Sequence, residues 1–429
     1  MSAKKENRIR APRGTSDYLP DRAASIHGLD RLAGEVFSNY GYRRIITPTF
    51  EDTALFTRSI GEASDIVRKE MYTFEDQGGR SLTLRPEATA PVVRAFIEHN
   101  LGSQSLPVKL YYFSNMFRYE RPQAGRFREF WQLGVEALGS PEPSLDAEVI
   151  TLAADFLRAL DIREGLMKIG SMGDENCRPQ YTLILQKYLE EKRDSFCPDC
   201  GERLKFNPLR VFDCKNPECQ KALADAPKMI DYLCDECRDH FDGVGRLLKE
   251  VGIEFSIDPM LVRGFDYYTR TTFEIQSSQL GAQNALGGGG RYDRLVSDYG
   301  GKPTPAVGFA LGIERLLAAL KAEENVDLST SRKIDVFLIV IDNEHRDQAF
   351  KLAIELRRIG LSVEVDYMNR STRSQMKLAD KMGAEYALIL GPDEMARGEV
   401  VMRNLSTGEE RPEKLSSVAD KLGKIKGFE

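Results

Sequence analysis

The stretch VKLYYFSNMFRYERPQAGRFREFWQLGVEALG, residues 108–139, decides how this chain is read. It predicts two long strands joined by a Pro–Gly turn at 122–125. A two-residue period along the second strand puts Phe127, Trp131, Leu133, Val135 and Ala137 on one face. Arg126, Arg128, Gln132 and Glu136 fall on the other. Arg118 extends that polar face from the first strand, and Arg121 stands at the turn. Planar guanidinium groups beside an amide and a carboxylate suit a ligand carrying both a phosphate and an amine. The pattern reads equally well as a solvated sheet face with cross-strand ion pairs.

Four further segments repeat this unusual polarity. In LRPEATAP, Glu87 and Thr89 follow a strand end and open a helix. A carboxylate there caps the helix or holds an ammonium group. In LVRGFDYYTRTTFEI, residues 261–275, Thr271, Phe273 and Ile275 alternate as a strand, while Arg263, Asp266, Tyr267 and Tyr268 crowd its mouth. NALGGGGRYDRL carries four consecutive glycines before Tyr292, which permit close approach of a ligand or form a hairpin. It does not fit the phosphate-loop pattern, and it fits the dinucleotide pattern poorly. AVGFALGIERLLAAL predicts a strand, a glycine turn and a helix, with Arg315 off the apolar stripe of Ile313, Leu316, Leu317 and Leu320.

The 429 residues, 41% hydrophobic and 29% charged, fit a soluble globular protein of two or three domains. No apolar run approaches the roughly 20 residues that span a bilayer. The N-terminus lacks the apolar segment of a signal peptide, so a cytoplasmic location is expected, with no membrane partner. A net charge of −6 argues against general polyanion binding and requires any nucleic-acid contact to use a local basic surface. Arg370, Arg373, Lys377 and Lys381 recur at helical spacing and offer such a stripe, or a solvated helix face.

All seven cysteines fall between residues 170 and 258, a charged segment that reads as an inserted module. Cys197 and Cys200 form one C-x-x-C, Cys234 and Cys237 another, and Cys214 and Cys219 lie between them. Paired motifs of this kind point to a structural Zn²⁺ rather than to disulfides, with reduced, metal-free thiols as the alternative. Cys197, Cys200, Cys234 and Cys237 form one candidate ligand set; the first pair combines equally with Cys214 and Cys219. Cys177 stands apart and reads as a core residue. NVDLSTSRK reads as a linker. From residue 333 strands alternate with helices, which predicts a small α/β domain.

Taken in order, these segments resemble the class II aminoacyl-tRNA synthetases, and within them the histidyl-tRNA synthetases, over nearly the whole chain. GYRRIITPTFEDTALFTRSIG resembles the dimer-forming motif 1, FRYERPQAGRFREFWQLGVEALG motif 2, and AVGFALGIERLL motif 3. LVRGFDYYTRT and GGGRYDRL resemble the two segments particular to the histidine enzymes. Ala88 stands where that family commonly has glycine, Phe265 where leucine is common, and Pro91 follows the EATA turn.

The resemblance implies an α+β fold: a six-stranded antiparallel sheet flanked by helices, with a mainly helical Cys-rich insert and a C-terminal α/β anticodon-binding domain. The expected division is a catalytic core at 1–169 and 259–325, an insert at 170–258, and the anticodon-binding domain at 333–429. The implied activity is histidine activation by ATP with Mg²⁺, then transfer of histidine to its tRNA by a homodimer.

Arg118 and Arg263 are implied at the α-phosphate, with Arg126 and Arg315 toward the γ-phosphate. Glu87, Ala88, Thr89, Gln132, Glu136, Tyr267, Tyr268 and Tyr292 are implied around histidine. Gln123 and Arg128 are implied at the tRNA acceptor end. A related regulatory subunit that binds histidine without charging tRNA is the alternative. Such subunits typically lose the LVRG arginine and the anticodon-binding domain, whereas this chain has Arg263 and the C-terminal α/β pattern.

Overall fold

The computed structural model describes residues 9–60, 66–103, 105–121, 125–162, 165–278, 280, 284–323 and 334–425. The linker reading of NVDLSTSRK lies outside them. The chain divides into two compact units, Met1–Ser329 and Thr330–Glu429.

The strands of the first unit are β1 (Arg43–Arg44), β2 (Phe50–Asp52), β3 (Tyr72–Glu75), β4 (Ser81–Leu84), β5 (Val108–Phe117) and β6 (Glu129–Leu138). They continue as β7 (Gly165–Ser171), β8 (Phe255–Ile257), β9 (Thr269–Ser277), β10 (Ala285–Arg291) and β11 (Ala306–Gly312). The main sheet has eight strands in the order β1-β5-β6-β11-β10-β9-β7-β8. Its six central strands are antiparallel throughout. Short parallel strands, β1 and β8, extend it at either edge beyond the six expected. Pro48 separates β1 from β2, and β2 joins a smaller sheet, β2-β4-β3. The strand expected over RRIITPTFED is therefore two strands in two sheets.

One face of the main sheet is apolar because the period-two pattern makes it so. Leu133, Val135, Phe273, Ile275 and Phe309 are buried there. They join a cluster with Leu29 and Phe37 of helix Pro20–Asn39 and with Val149 and Phe156 of helix Pro143–Ala159. Each such side chain contributes about 1.5–3 kcal/mol through burial. Gln132 and Glu136 alternate with these residues and line a cavity on the opposite side of β6.

Between β7 and β8 the chain is mainly helical, with helices Arg178–Glu191, Pro198–Phe206, Pro217–Leu223 and Asp235–Glu250. The last buries Cys237, Phe241, Val244 and Leu248, a 3–4-residue stripe that fixes its inward face. Gly170 and Ser171 of β7 and all of β8 fall inside the range expected for the insert, yet both strands belong to the main sheet. Among the described residues no helix is long and apolar enough to cross a membrane.

The second unit carries β12 (Val336–Val340), β13 (Val363–Val365), β14 (Tyr386–Leu390), β15 (Glu399–Asn404) and β16 (Glu410–Lys414) in the order β13-β12-β14-β15-β16. The first three are parallel, as the strand–helix alternation predicts. The antiparallel extension by β15 and β16 was not anticipated.

Candidate active site

The cavity against β6, β10 and β11 has a volume of about 400 Å³. Carboxylates, hydroxyls and phenols gather in one set of its walls, arginines in another. The acidic set begins where β4 passes into helix Thr89–Glu98. Glu87 turns back to cap that helix, its carboxylate accepting from the backbone N–H groups of Thr89 at 2.6 Å and Ala90 at 3.0 Å. Thr89 Oγ1 donates to Glu136 Oε1 at 2.7 Å, and the Tyr292 hydroxyl donates to Glu136 Oε2.

Burial raises the Glu136 carboxyl to about 8, against the lowering effect of its two hydroxyl donors. Burial raises Glu87 as well. Tyr267, Tyr268 and Tyr292 are pushed up by burial and stay neutral phenols. Tyr267 links the other two, with ring centroids 4.8 Å from Tyr268 and 5.7 Å from Tyr292. The Gln132 side-chain oxygen is buried without a hydrogen-bond partner among the described residues. Together these groups form a desolvated end that offers carboxyl, phenol, hydroxyl and amide groups for hydrogen bonding.

Two glycines make this end possible. Gly308 faces Glu136 across the β11–β6 pair, and a Cβ there would lie 2.0 Å from Glu136 Oε2. Gly134 faces Tyr112, and a Cβ there would lie 2.3 Å from its hydroxyl. Glycine is needed because a carboxylate and a phenol occupy the space of the side chain opposite. The glycine run in β10 has a related cause. A Cβ at Gly287 would lie 2.1 Å from the Ala310 carbonyl, so the run serves close strand approach as well as lining the cavity.

The arginines are fixed from four directions. Arg118 lies just beyond β5, donates to the Pro86 carbonyl at 2.8 Å, and stands 5.2 Å from the centre of the Phe130 ring. Arg263 pairs with Glu274 at 2.7 Å. Arg315, in the helix after β11, donates to the Ala285 carbonyl at 2.6 Å and to the Gly125 carbonyl at 3.4 Å. Arg126 faces Glu120 at 3.3 Å. Burial and repulsion from Arg126 lower the proton affinity of Arg315. Converging guanidinium groups that repel one another favour a polyanion between them.

The cavity thus unites Glu87, Thr89, Gln132, Glu136, Tyr267, Tyr268, Tyr292, Arg118, Arg126, Arg263 and Arg315. Two predicted residues do not line it. Ala88 is buried in the hydrophobic cluster that includes Tyr112 and Tyr267. Arg128 stacks on Tyr119 at 3.8 Å and donates to the Glu120 carbonyl at 3.3 Å. The reason is that the β5–β6 connection spans residues 118–128 instead of a tight turn, so strand alternation ends before Arg128 is reached. Gln123 lies outside the described residues.

Sequence reasoning missed Tyr112, Glu120, Asp213 and Glu274, all of which line the cavity. The alternation in TRTTFEI already set Glu274 opposite Phe273 and Ile275. Asp213 carried no local signal, because it arrives from the helical insert.

The cysteine pairing differs from the set Cys197, Cys200, Cys234 and Cys237. Cys197 and Cys200 gather with Cys214 and Cys219. Cys234 and Cys237 gather with Asp174 and Cys177. The two C-x-x-C motifs head different helices, Pro198–Phe206 and Asp235–Glu250, and each start meets a different partner segment. Cys177 is a buried core residue, as expected, but it does not stand apart: it belongs to the second group.

A sequence model of the histidyl-tRNA synthetase family matches residues 14–173 and 215–316, and one of an anticodon-binding domain matches residues 335–425. The chain belongs to the histidyl-tRNA synthetase family. Among members of that family, the histidine–tRNA ligase of Halothermothrix orenii is 49% identical over 417 residues, covering 97% of this chain and 99% of its own. The crystal structure of apo histidyl-tRNA synthetase from S. aureus is 36% identical, covers 97% of this chain and all of its own, and superposes with a TM-score of 0.82. A Bacillus halodurans structure described as an ATP phosphoribosyltransferase regulatory subunit/histidyl-tRNA synthetase is 25% identical, with a TM-score of 0.62. It covers 86% of this chain and 96% of its own.

Proposed function

We propose that this chain activates L-histidine with ATP and transfers it to the 3′ end of its cognate tRNA. One observation carries the reading: a single cavity holds a buried carboxylate and phenol end beside four arginines. Histidine presents an ammonium and an imidazole to the first, and ATP presents its phosphates to the second.

In the first step a histidine carboxylate oxygen forms a bond to the α-phosphorus of ATP. The bond from that phosphorus to the bridging oxygen breaks, and pyrophosphate leaves. In the second step a hydroxyl of the terminal tRNA ribose attacks the activated carbonyl carbon and AMP departs. The protein supplies orientation and charge stabilisation.

Arg118 and Arg263 are assigned to the α-phosphate, and Arg126 and Arg315 to the far end of the triphosphate. Glu87, Thr89, Gln132 and Glu136 take the ammonium and imidazole region, framed by Tyr268 and Tyr292, with Tyr267 bracing both phenols. Glu120 and Glu274 would hold a Mg²⁺ brought by ATP, beside phosphate oxygens and water, and the ion would neutralise phosphate charge. Glu120 Oε2 is buried and faces Arg126 at 3.3 Å, and Glu274 pairs with Arg263, so both carboxylates stand beside the arginines assigned to the phosphates.

The connection bearing Gln123 and Arg128 is assigned to the tRNA acceptor end, and the second unit to the anticodon. Assembly as a cytoplasmic homodimer completes the reading. It is supported by the exposed edge region around β1 and β2, where Ile46 is 78% and Phe50 50% exposed. Pyrophosphate exchange measured with each amino acid in turn tests the function. Exchange with histidine alone is expected; exchange with none would favour a regulatory subunit that binds histidine without activating it.

A further inference from the structure

Cys197, Cys200, Cys214 and Cys219 place their four sulfurs within 4.8 Å of one another, and the last three are buried. Cys197 and Cys214 are 3.8 Å apart at sulfur. A disulfide would bring them to about 2.05 Å. A tetrahedron with metal–sulfur bonds of about 2.3 Å has edges of about 3.8 Å. The spacing therefore matches thiolates around a metal. Two sulfurs also accept backbone N–H groups, Cys219 from Cys197 at 3.2 Å and Cys214 from Asn216 at 3.4 Å. Such donors hold ligand sulfurs in position and favour the thiolate form.

The chain between the two cysteine pairs reaches the candidate active site. Asn207 Nδ2 donates to Asp266 Oδ1 at 2.8 Å, and Arg210 Nε donates to the same oxygen at 3.3 Å. Arg210 Nη2 donates to the Gly264 carbonyl at 2.6 Å. Asp213, the neighbour of Cys214, lines the cavity. Residues 207–213 are thus anchored at both ends by cysteines and grip the loop between Arg263 and Tyr267.

We propose that these four cysteines bind one Zn²⁺ as a tetrathiolate, and that the site holds Asn207 and Arg210 against the Gly264–Asp266 loop. The first half stands on the thiol geometry alone; the second rests on the reading of the cavity as a histidine pocket. Arg210 is a positioning residue that acts through Gly264 and Asp266. The Asp174, Cys177, Cys234 and Cys237 group is not included. Its carboxylate already accepts from Asn176 N–H at 3.0 Å and faces Arg270 at 3.5 Å.

The test uses the full chain purified under reducing conditions without chelator. Elemental analysis is expected to find one fewer zinc per chain in Cys200→Ser/Cys219→Ser than in the parent. The parent reconstituted with Co²⁺ is expected to show tetrahedral thiolate–cobalt absorption that the variant lacks. Because removal of two thiols can unfold the insert, Cys214→Ser alone serves as the second variant. It should yield zinc to a chelator that the parent resists. A parent that retains no zinc and gives no such cobalt spectrum, equal zinc in the parent and the double variant, or equal resistance to the chelator in the parent and Cys214→Ser overturns the site.

For the coupling, Arg210→Ala is expected to keep its zinc and to raise KM for histidine roughly 10- to 100-fold in pyrophosphate exchange, the range for lost charge-assisted hydrogen bonds. KM for ATP should change far less, and Arg210→Lys should recover part of the loss. An unchanged KM for histidine overturns the coupling. Absence of histidine-dependent exchange in the parent would instead overturn the functional reading and leave the zinc result standing.

Discussion

Glu136 sits where burial and function meet. An unfolded glutamate titrates near its usual value, whereas burial holds this one at about 8. The folded chain therefore binds a proton that the unfolded chain has lost across that interval. Stability contributed by this group is full below the unfolded value and is lost as pH rises through about 8. Glu136→Gln removes the titration, so the fall in melting temperature between pH 5 and 8 is expected to flatten; equal slopes would refute the assignment. Arg263 makes a different prediction. Paired with Glu274 and aimed into the cavity, it is a preorganised positive charge. Arg263→His is expected to lower adenylate formation by roughly 10²–10³. Near-normal histidine-dependent exchange in that variant would remove Arg263 from the mechanism.

At the scale of elements, the segment GGGRYD does more than its sequence reveals. Tyr292 serves the cavity, while Arg291 is fully buried and pairs with Asp146 in the first turn of helix Pro143–Ala159. Asp146 Oδ2 also accepts from His240 Nε2 at 2.7 Å, and His240 belongs to the last helix of the insert. One carboxylate thereby joins a sheet strand, a core helix and the insert. Arg291 keeps it ionised, holding it below the usual carboxylate range despite burial. Asp146→Asn leaves a buried guanidinium with Asp293 as its remaining charged partner, beside the Ser140 and Glu142 carbonyls. It is expected to destabilise the fold by about 3–5 kcal/mol, the range for breaking a buried pair from one side. Denaturant titration reads this directly, and a loss below about 1 kcal/mol would show that Asp293 suffices. Nothing in the local sequence distinguishes Asp146 from an ordinary helix-start acid, because its partner is supplied by a strand 145 residues away.

At the scale of the whole molecule, the net charge of −6 asks where a tRNA would be gripped. Arg373, Lys377 and Lys381 are exposed along helix Thr372–Lys381, with Arg370 just before it, so the cationic stripe read in the sequence lies on a surface. Replacing Arg373, Lys377 and Lys381 with alanine is expected to raise KM for tRNA and shallow its salt dependence, while leaving histidine-dependent exchange unchanged. Equal tRNA affinity in parent and variant would leave the stripe as solvated surface. The sequence by itself determined the elements and much of the cavity. Period-two alternation selects Gln132 and Glu136 over Leu133 and Val135, and the spacing of Ile313, Leu316 and Leu320 leaves Arg315 free of the core. These patterns are local, since a strand or helix sorts its side chains by face whatever surrounds it. Tertiary structure alone decided the partners: which thiols gather, why Arg291 is buried while Tyr292 is used, and that Asp213 of the insert reaches the cavity and Arg210 the loop beside it. Those contacts depend on chain segments meeting in space, and the energy that fixes them comes from burial and charge pairing across long separations, which no short stretch of residues encodes.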